Sequence, residues 1–271
     1  MSVINTNVSA LRAQNAMTVN ARAQSTAMEQ LSTGSKVNSA KDDAAGLAIG
    51  QSMTSQIRGL NQAVRNLNDG INMMQTAEGA LVETSNMLQR MRELAVQSAN
   101  GTYSTDQRTY LQTEFTALSA QIGKIATDTK WNDQSLLSSQ TTFTFQAGKD
   151  SGQTVALAIA PMGLSGLGVV AATSIGTSTS AITSIATLDA AIGLVNNQRA
   201  TIGAGINQMT YAVDNISNVA SNAAASRSSI MDTDYATAST QLSKTQIIQQ
   251  AATAMLAQAN QQPQAVLSLL K

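Results

Sequence analysis

Hydrophobic positions recur at steps of three and four over most of this chain, and the places where that rhythm fails divide it into elements. From Val3 to Leu31 the rhythm is thin. Ile4, Val8 and Leu11 follow helical spacing, alanines continue the stripe, and Met28 and Leu31 close it before Gly34, the first strong breaker. After a short loop, Ser39 is expected to cap a second helix with Asp42 and Asp43 in its first turn, where unpaired N–H groups and the helix dipole favour negative charge. The strongest stripe follows. Met53, Ile57, Leu60, Val64, Leu67, Ile71, Met74, Leu81 and Leu88 predict a long rod running to Ala99, with Asn100 and Gly101 as its stop.

NGTYSTDQRTY reads as a turn with Ser104 or Thr105 as a cap, and Tyr110, Leu111, Leu118, Ile122 and Ile125 carry a third amphipathic helix to about Thr127. The texture then changes around WNDQSLL. TTFTFQAG alternates like a strand, QTVALAIA like a second, and AGKDSG supplies hairpin-type turn residues between them. Residues 161–180, rich in Gly, Ser, Thr and small apolar types, are expected to form turns and irregular structure. Helical spacing returns at Ile182 and runs through Ile185, Leu188, Ile192, Val195, Ile202, Ile206, Met209, Val213, Ile216 and Val219, a second rod. Tyr235, Leu242, Ile248 and Met255 mark a terminal helix expected to stop before Pro263. The predicted fold is mainly α: a long antiparallel helical bundle or coiled coil formed by both chain ends, with a small β-hairpin in a central region at about 131–180.

Composition narrows the function. Sixteen basic and sixteen acidic residues cancel without a dense basic block, which argues against nucleic acid and against a membrane surface as partners. The chain has no cysteine and no histidine, so thiol nucleophiles, disulfides, thiolate metal sites and the commonest general base are all excluded. The start MSVINTNVSALRAQNA lacks the basic and apolar regions of a secretory signal, and the sequence shows no run of about 18 uncharged apolar residues, so no membrane insertion is expected.

The remaining candidates for chemistry dissolve on inspection. Asp42 and Asp43 are adjacent, so on a helix they point about 100° apart and cannot share one substrate atom. Gly46 and Gly50 lack the Gly-Lys-Ser or Gly-Lys-Thr that completes a phosphate loop, and with Gly203 and Gly205 they read as sites of close helix packing. The twelve methionines fall mostly on helical stripes and fill a core short of aromatics. No catalytic residue, metal ligand or cofactor is predicted. What stands out is the pair of ends, weakly amphipathic and rich in Ala, Asn, Gln, Ser and Thr. Helices of that kind are marginal alone and become ordered by packing on each other or on other subunits. The apolar residues of QAVLSLLK point the same way.

The stretches VINTNVSAL, LSTGSKVNSAKDDAAGLAI, NDGINMMQTAEGAL and LQRMRELAVQSANGTYS, with RSSIMDTDYATASTQLSKTQIIQQAATAMLAQANQQPQAVLSLL at the other end, closely resemble bacterial flagellin. The resemblance covers approximately residues 1–140 and 182–270. It implies a structural subunit that polymerises into the flagellar filament and supports swimming, with no enzymatic activity. Residues 1–38 and 232–271 would form the innermost layer, with Ile4, Val8, Leu11, Leu31, Leu242, Ile248, Met255, Val266, Leu267, Leu269 and Leu270 as its contacts. Residues 39–231 would form the surrounding rod, and the large outer domains of many members would be missing.

The same resemblance implies export through the flagellar type III apparatus and an extracellular location. Its implied partners are other flagellin subunits, an export chaperone, hook–filament junction proteins and the filament cap. It also implies recognition by an animal Toll-like receptor through Gln89, Arg90, Leu94, Gln97 and Glu114. The alternative is a minor or specialised filament subunit, or a junction-like relative. An enzymatic flagellin would need an outer domain for which the short centre has no room.

Overall fold

The computed structural model describes residues 6–170 and 173–268, with side chains to residue 261. Among these residues the chain forms, in order, α1 (Val8–Thr33), α2 (Ala44–Ala99), α3 (Thr105–Asp128), β1 (Lys130–Trp131), β2 (Gln134–Ser135), β3 (Thr141–Gln146), β4 (Thr154–Ile159), α4 (Ser178–Met231) and α5 (Tyr235–Ser268). It is a mainly α protein with two small antiparallel strand pairs at its centre. Two compact units are formed, one from residues 1–57 and 221–271 and the other from 58–220, so the division falls inside α2 and α4 rather than at the linkers near 38 and 232.

Sequence explains the helix boundaries well, with two exceptions. Ser104 caps α3 as expected, and Gln107 returns the favour in a capping box. At α2 the expectation is corrected. Ser39 is not the cap: its N–H and hydroxyl both donate to Asp42 Oδ2, at 3.0 and 2.9 Å, closing a turn ahead of the helix. The helix begins at Ala44, and Asp43 takes the capping place, its Oδ1 accepting from Gly46 N at 2.9 Å. At the other end, α5 does not stop before Pro263 but runs through it to Ser268. Proline removes one N–H from the ladder, and the carbonyl four residues back, Ala259 O, accepts instead from the Asn7 side chain at 2.8 Å.

In the unit of residues 58–220 the core follows a seven-residue repeat. Leu60, Leu67, Met74, Leu81 and Leu88 are buried on α2, and Ala181, Leu188, Val195, Ile202, Met209 and Ile216 on α4. Ion pairs of Arg92 with Asp189 at 2.6 Å and of Glu78 with Arg199 at 3.7 Å show the two helices running antiparallel. On α4, Leu188, Val195, Ile202, Met209 and Ile216 are buried as expected, but at the ends of the stripe Ile182 and Val219 are exposed, because the seven-residue register takes Ala181 and Ala220 inside in their place. On α3, Arg108, Phe115 and Ile122 are buried at the same spacing, and Tyr110, expected inside, is exposed. An 18-residue window of α4 reaches a mean hydropathy of 1.3, long and apolar enough by composition alone to cross a membrane, although it is interrupted by polar residues and is not a continuous apolar run. Its heptad positions are instead spent in this core.

The hairpin β3–β4 pairs Thr141 with Ile159 through Gln146 with Thr154. Two glycines admit it. A Cβ at Gly70 would lie 2.9 Å from Phe145 Cδ1, and one at Gly205 would lie 2.8 Å from Leu157 Cδ1. Gly203, expected to behave likewise, has open space beside it. Glutamines finish the backbone bonding: Gln198 donates to Ala158 O and accepts from Ala160 N, and Gln112 Oε1 accepts from Ile175 N and Ser174 Oγ. The short pair β1–β2 turns at Asn132 and Asp133, both with positive φ, as a two-residue hairpin of this twist requires.

Candidate functional site

Within the unit of residues 1–57 and 221–271, α1 and α5 pack along each other and provide the candidate site. Their shared seam is narrow and partly polar. Buried Asn20 donates through Nδ2 to Thr245 O at 2.8 Å and to Gln249 Oε1 at 3.2 Å, and Ala27 on α1 and Ala238 and Thr245 on α5 are buried as well. The Thr245 hydroxyl bonds back to Gln241 O and Leu242 O, so this polar contact leaves no stray donor. Asn7 caps α1, accepting from Ala10 N at 3.0 Å while donating to Ala259 O.

Because small residues fill the seam, the large apolar side chains are left outside it. Val8, Leu11, Val19 and Met28 are exposed on α1, with Leu11 at 51 %, and Tyr235, Ile247, Ile248 and Met255 are exposed on α5, with Ile247 at 66 %. Of the predicted assembly contacts, Val8, Leu11, Ile248 and Met255 therefore present free apolar surface, while Leu31 and Leu242 are half-buried. Ile4, Leu269 and Leu270 lie outside the described residues. Val266 and Leu267 belong to α5 but their side chains lie outside them too.

The linkers that bring the two helices together are themselves paired. Gly34 adopts the left-handed conformation (φ 71°) that ends α1, and Ser35 bridges Asp232, flanked by Lys36 N–H to Met231 O at 2.6 Å and Thr233 N–H to Gly34 O at 2.9 Å. Asp234 then caps α5. Hydrogen bonds from the Thr237 hydroxyl, then from the Ala236 and Thr237 amides, hold its carboxyl below the usual carboxylate range. The Ser39 hydroxyl does the same for Asp42. In the same unit Gly50 lets Met231 against α2, where a Cβ would meet its Sδ at 2.5 Å.

The polar face of the other unit is formed by α2 and α3. Arg90 donates from Nε to Glu114 Oε1 at 2.9 Å and from NH1 to Glu93 Oε2 at 3.0 Å, and the Glu114 bond is the main reason its guanidinium is held still more firmly protonated. Gln89 is exposed, and Gln97 donates to the Tyr103 hydroxyl at 2.9 Å. Leu94 corrects the sequence reading. It is 1 % exposed, because it follows Met91 on the inward stripe of α2, and so offers no surface to a partner. Among the described residues no group of three or more acidic side chains is placed to hold a metal ion.

Sequence reasoning missed the residues that fix the α1–α5 pair, Asn7, Asn20 and Thr245. The available signal was an asparagine in line with an alanine stripe, the pattern of a polar residue that sets pairing register.

Paired helical ends carrying unpartnered apolar side chains, joined by long heptad helices, define a structural subunit that completes its packing in an assembly. The bacterial flagellin N-terminal helical region matches residues 4–142, and the bacterial flagellin C-terminal helical region matches 185–270. A flagellin of Halalkalibacterium halodurans is 43% identical over 271 residues, covering 99% of this chain and 100% of the relative. Flagellin B of Vibrio cholerae is 35% identical over a 371-residue alignment covering 98% of this chain and 99% of that longer protein. Among solved structures, Bacillus cereus flagellin covers 56% of this chain and 88% of its own at 32% identity and a TM-score of 0.52. A putative flagellar hook-associated protein from Vibrio parahaemolyticus shares the fold, with a TM-score of 0.60 at 13% identity over 70% of this chain and 100% of its own.

The chain belongs to the bacterial flagellin family. It is a structural subunit, not an enzyme, that polymerises with other flagellin subunits into the extracellular flagellar filament, and its part in motility follows from that role.

Proposed function

We propose that the paired ends α1 and α5 form the innermost layer of the filament and that the unit of residues 58–220 surrounds it. The observation that carries this reading is the apolar face left open by Val8, Leu11, Val19, Ile247 and Met255 on a helix pair with so little core of its own. Burying apolar surface stabilises by about 25 cal/mol per Å², so a face of this kind contributes more in an assembly than in the free subunit. Seeded polymerisation tests it. Leu11→Glu combined with Ile247→Glu should leave unit 58–220 folded by circular dichroism and abolish filament growth; normal growth would refute the placement.

The subunit reaches its site by the flagellar type III route, with an export chaperone, and meets junction proteins at the base and a cap at the tip. Family membership and the thin core of the ends support this route, since a chain with weak terminal helices is easily kept unfolded for transit. Inactivating the export apparatus should retain the protein in the cell, and its continued appearance outside would rule the route out.

A second reading is favoured by the exposed ion-pair cluster of Arg90, Glu93 and Glu114, with Gln89 and Gln97 on the same face. In the free subunit this face is read by an animal Toll-like receptor. Arg90→Ala should weaken receptor signalling by roughly tenfold, the scale of a charge pair lost at an interface, with filament assembly unchanged. Undiminished signalling would sink it.

A further inference from the structure

We infer that Asn7 is a positioning residue for assembly: its carboxamide takes up the one carbonyl that Pro263 leaves bare, and thereby fixes the register in which α1 and α5 pair. In a continuous helix the N–H of residue 263 would donate to Ala259 O, and proline has none. That carbonyl is instead met by Asn7 Nδ2 at 2.8 Å.

The other end of the same carboxamide is also engaged. Asn7 Oδ1 accepts from Ala10 N at 3.0 Å, the third residue of α1, so a single side chain completes the start of one helix and a gap in the other. Ser, Thr and Asp cap helices about as well, but ionised Asp has no donor, and Ser and Thr have one polar atom where Asn has a capping oxygen and a separate N–H donor. The dual contact accounts for asparagine at this position.

Register follows from uniqueness. The chain has two prolines, and Pro263 is the one within α5, so Ala259 O is the carbonyl whose helical N–H donor the sequence itself removes. Sliding α1 by one turn in either direction would carry the Asn7 amide away from Ala259 O and leave that carbonyl without a donor. Asn20, bonded to Thr245 O further along the same pair, sets a second rung in the same antiparallel sense. An apolar seam of alanines alone would tolerate such slips, since alanine offers the same small surface at every turn.

The test is a mutant cycle read by seeded polymerisation, measuring the subunit left unassembled at equilibrium near neutral pH. Asn7→Ser keeps a capping oxygen and loses the amide donor. It should raise the residual subunit about fivefold, the factor that one hydrogen bond of typical net strength gives. In a Pro263→Ala background, where the N–H of residue 263 is restored, the same Asn7→Ser change should shift it by less than about twofold. Asn7→Asp, a cap of equal quality with no donor, should impair assembly at least as much as Asn7→Ser. Equal losses in both backgrounds would reduce Asn7 to a cap of α1 and overturn the inference, as would wild-type growth by Asn7→Asp. Failure of the unmutated chain to polymerise in the same assay would count against the proposed inner-layer role instead.

Discussion

A guanidinium that is only 8 % exposed has to be held by acceptors, and Arg108 finds them at the end of the preceding helix. From the start of α3 it donates to the carbonyls of Ser98, Asn100 and Tyr103, satisfying the last turn of α2 and the loop that leaves it. The carbonyl end of α2 carries partial negative charge, which offsets the burial of the cation. Arg108→Met should therefore destabilise the unit of residues 58–220 by about 2 kcal/mol in urea unfolding, with Arg108→Lys recovering only part, because an ammonium lacks the planar fork. Equal stability of Met and Arg at this position would contradict the role. Sequence gave no access to this contact. Its periodicity placed Tyr110 rather than Arg108 inside, since a charged residue on a buried heptad position is legible only once its acceptors are known.

At the scale of elements, helix identity and most boundaries were readable because caps and breakers are local. Ser104 with Gln107 and Gly34 are examples. The hairpin β3–β4 was readable from alternation and turn residues, whereas β1–β2 depends on positive φ at Asn132 and Asp133 and was too short to leave a pattern. The course of α5 through Pro263 was not readable at all, because a carbonyl freed by proline is compensated from a residue far away in sequence. Glycine function was equally invisible. Gly203 and Gly205 look alike in sequence, yet only Gly205 faces Leu157 of the hairpin. Gly203→Ala should raise the stability of α4 by up to about 1 kcal/mol through helix propensity, and Gly205→Ala should give no such gain because Leu157 must move. Denaturant midpoints for the two variants would decide it, and equal gains would show that the hairpin does not press on α4 at Gly205.

For the molecule as a whole, the absence of histidine and cysteine, the balanced charge and the two weak ends already pointed to assembly rather than chemistry. Which residues would face partners was only half legible. Val8, Leu11, Ile248 and Met255 were identified as contact residues from spacing and resemblance and are exposed, but the resemblance alone put Leu94 outside when the α2 core stripe takes it inside. The difference is physical: on α1 and α5 the seam is made of small residues, so apolar means outward, while on α2 apolar means core. The central claim is that the ends drive polymerisation. Seeded growth followed by electron microscopy, comparing the full chain with one lacking residues 1–33 and 235–271, tests it most directly. Long filaments from the full chain alone are predicted, and filaments of normal length from the truncated chain would contradict the account.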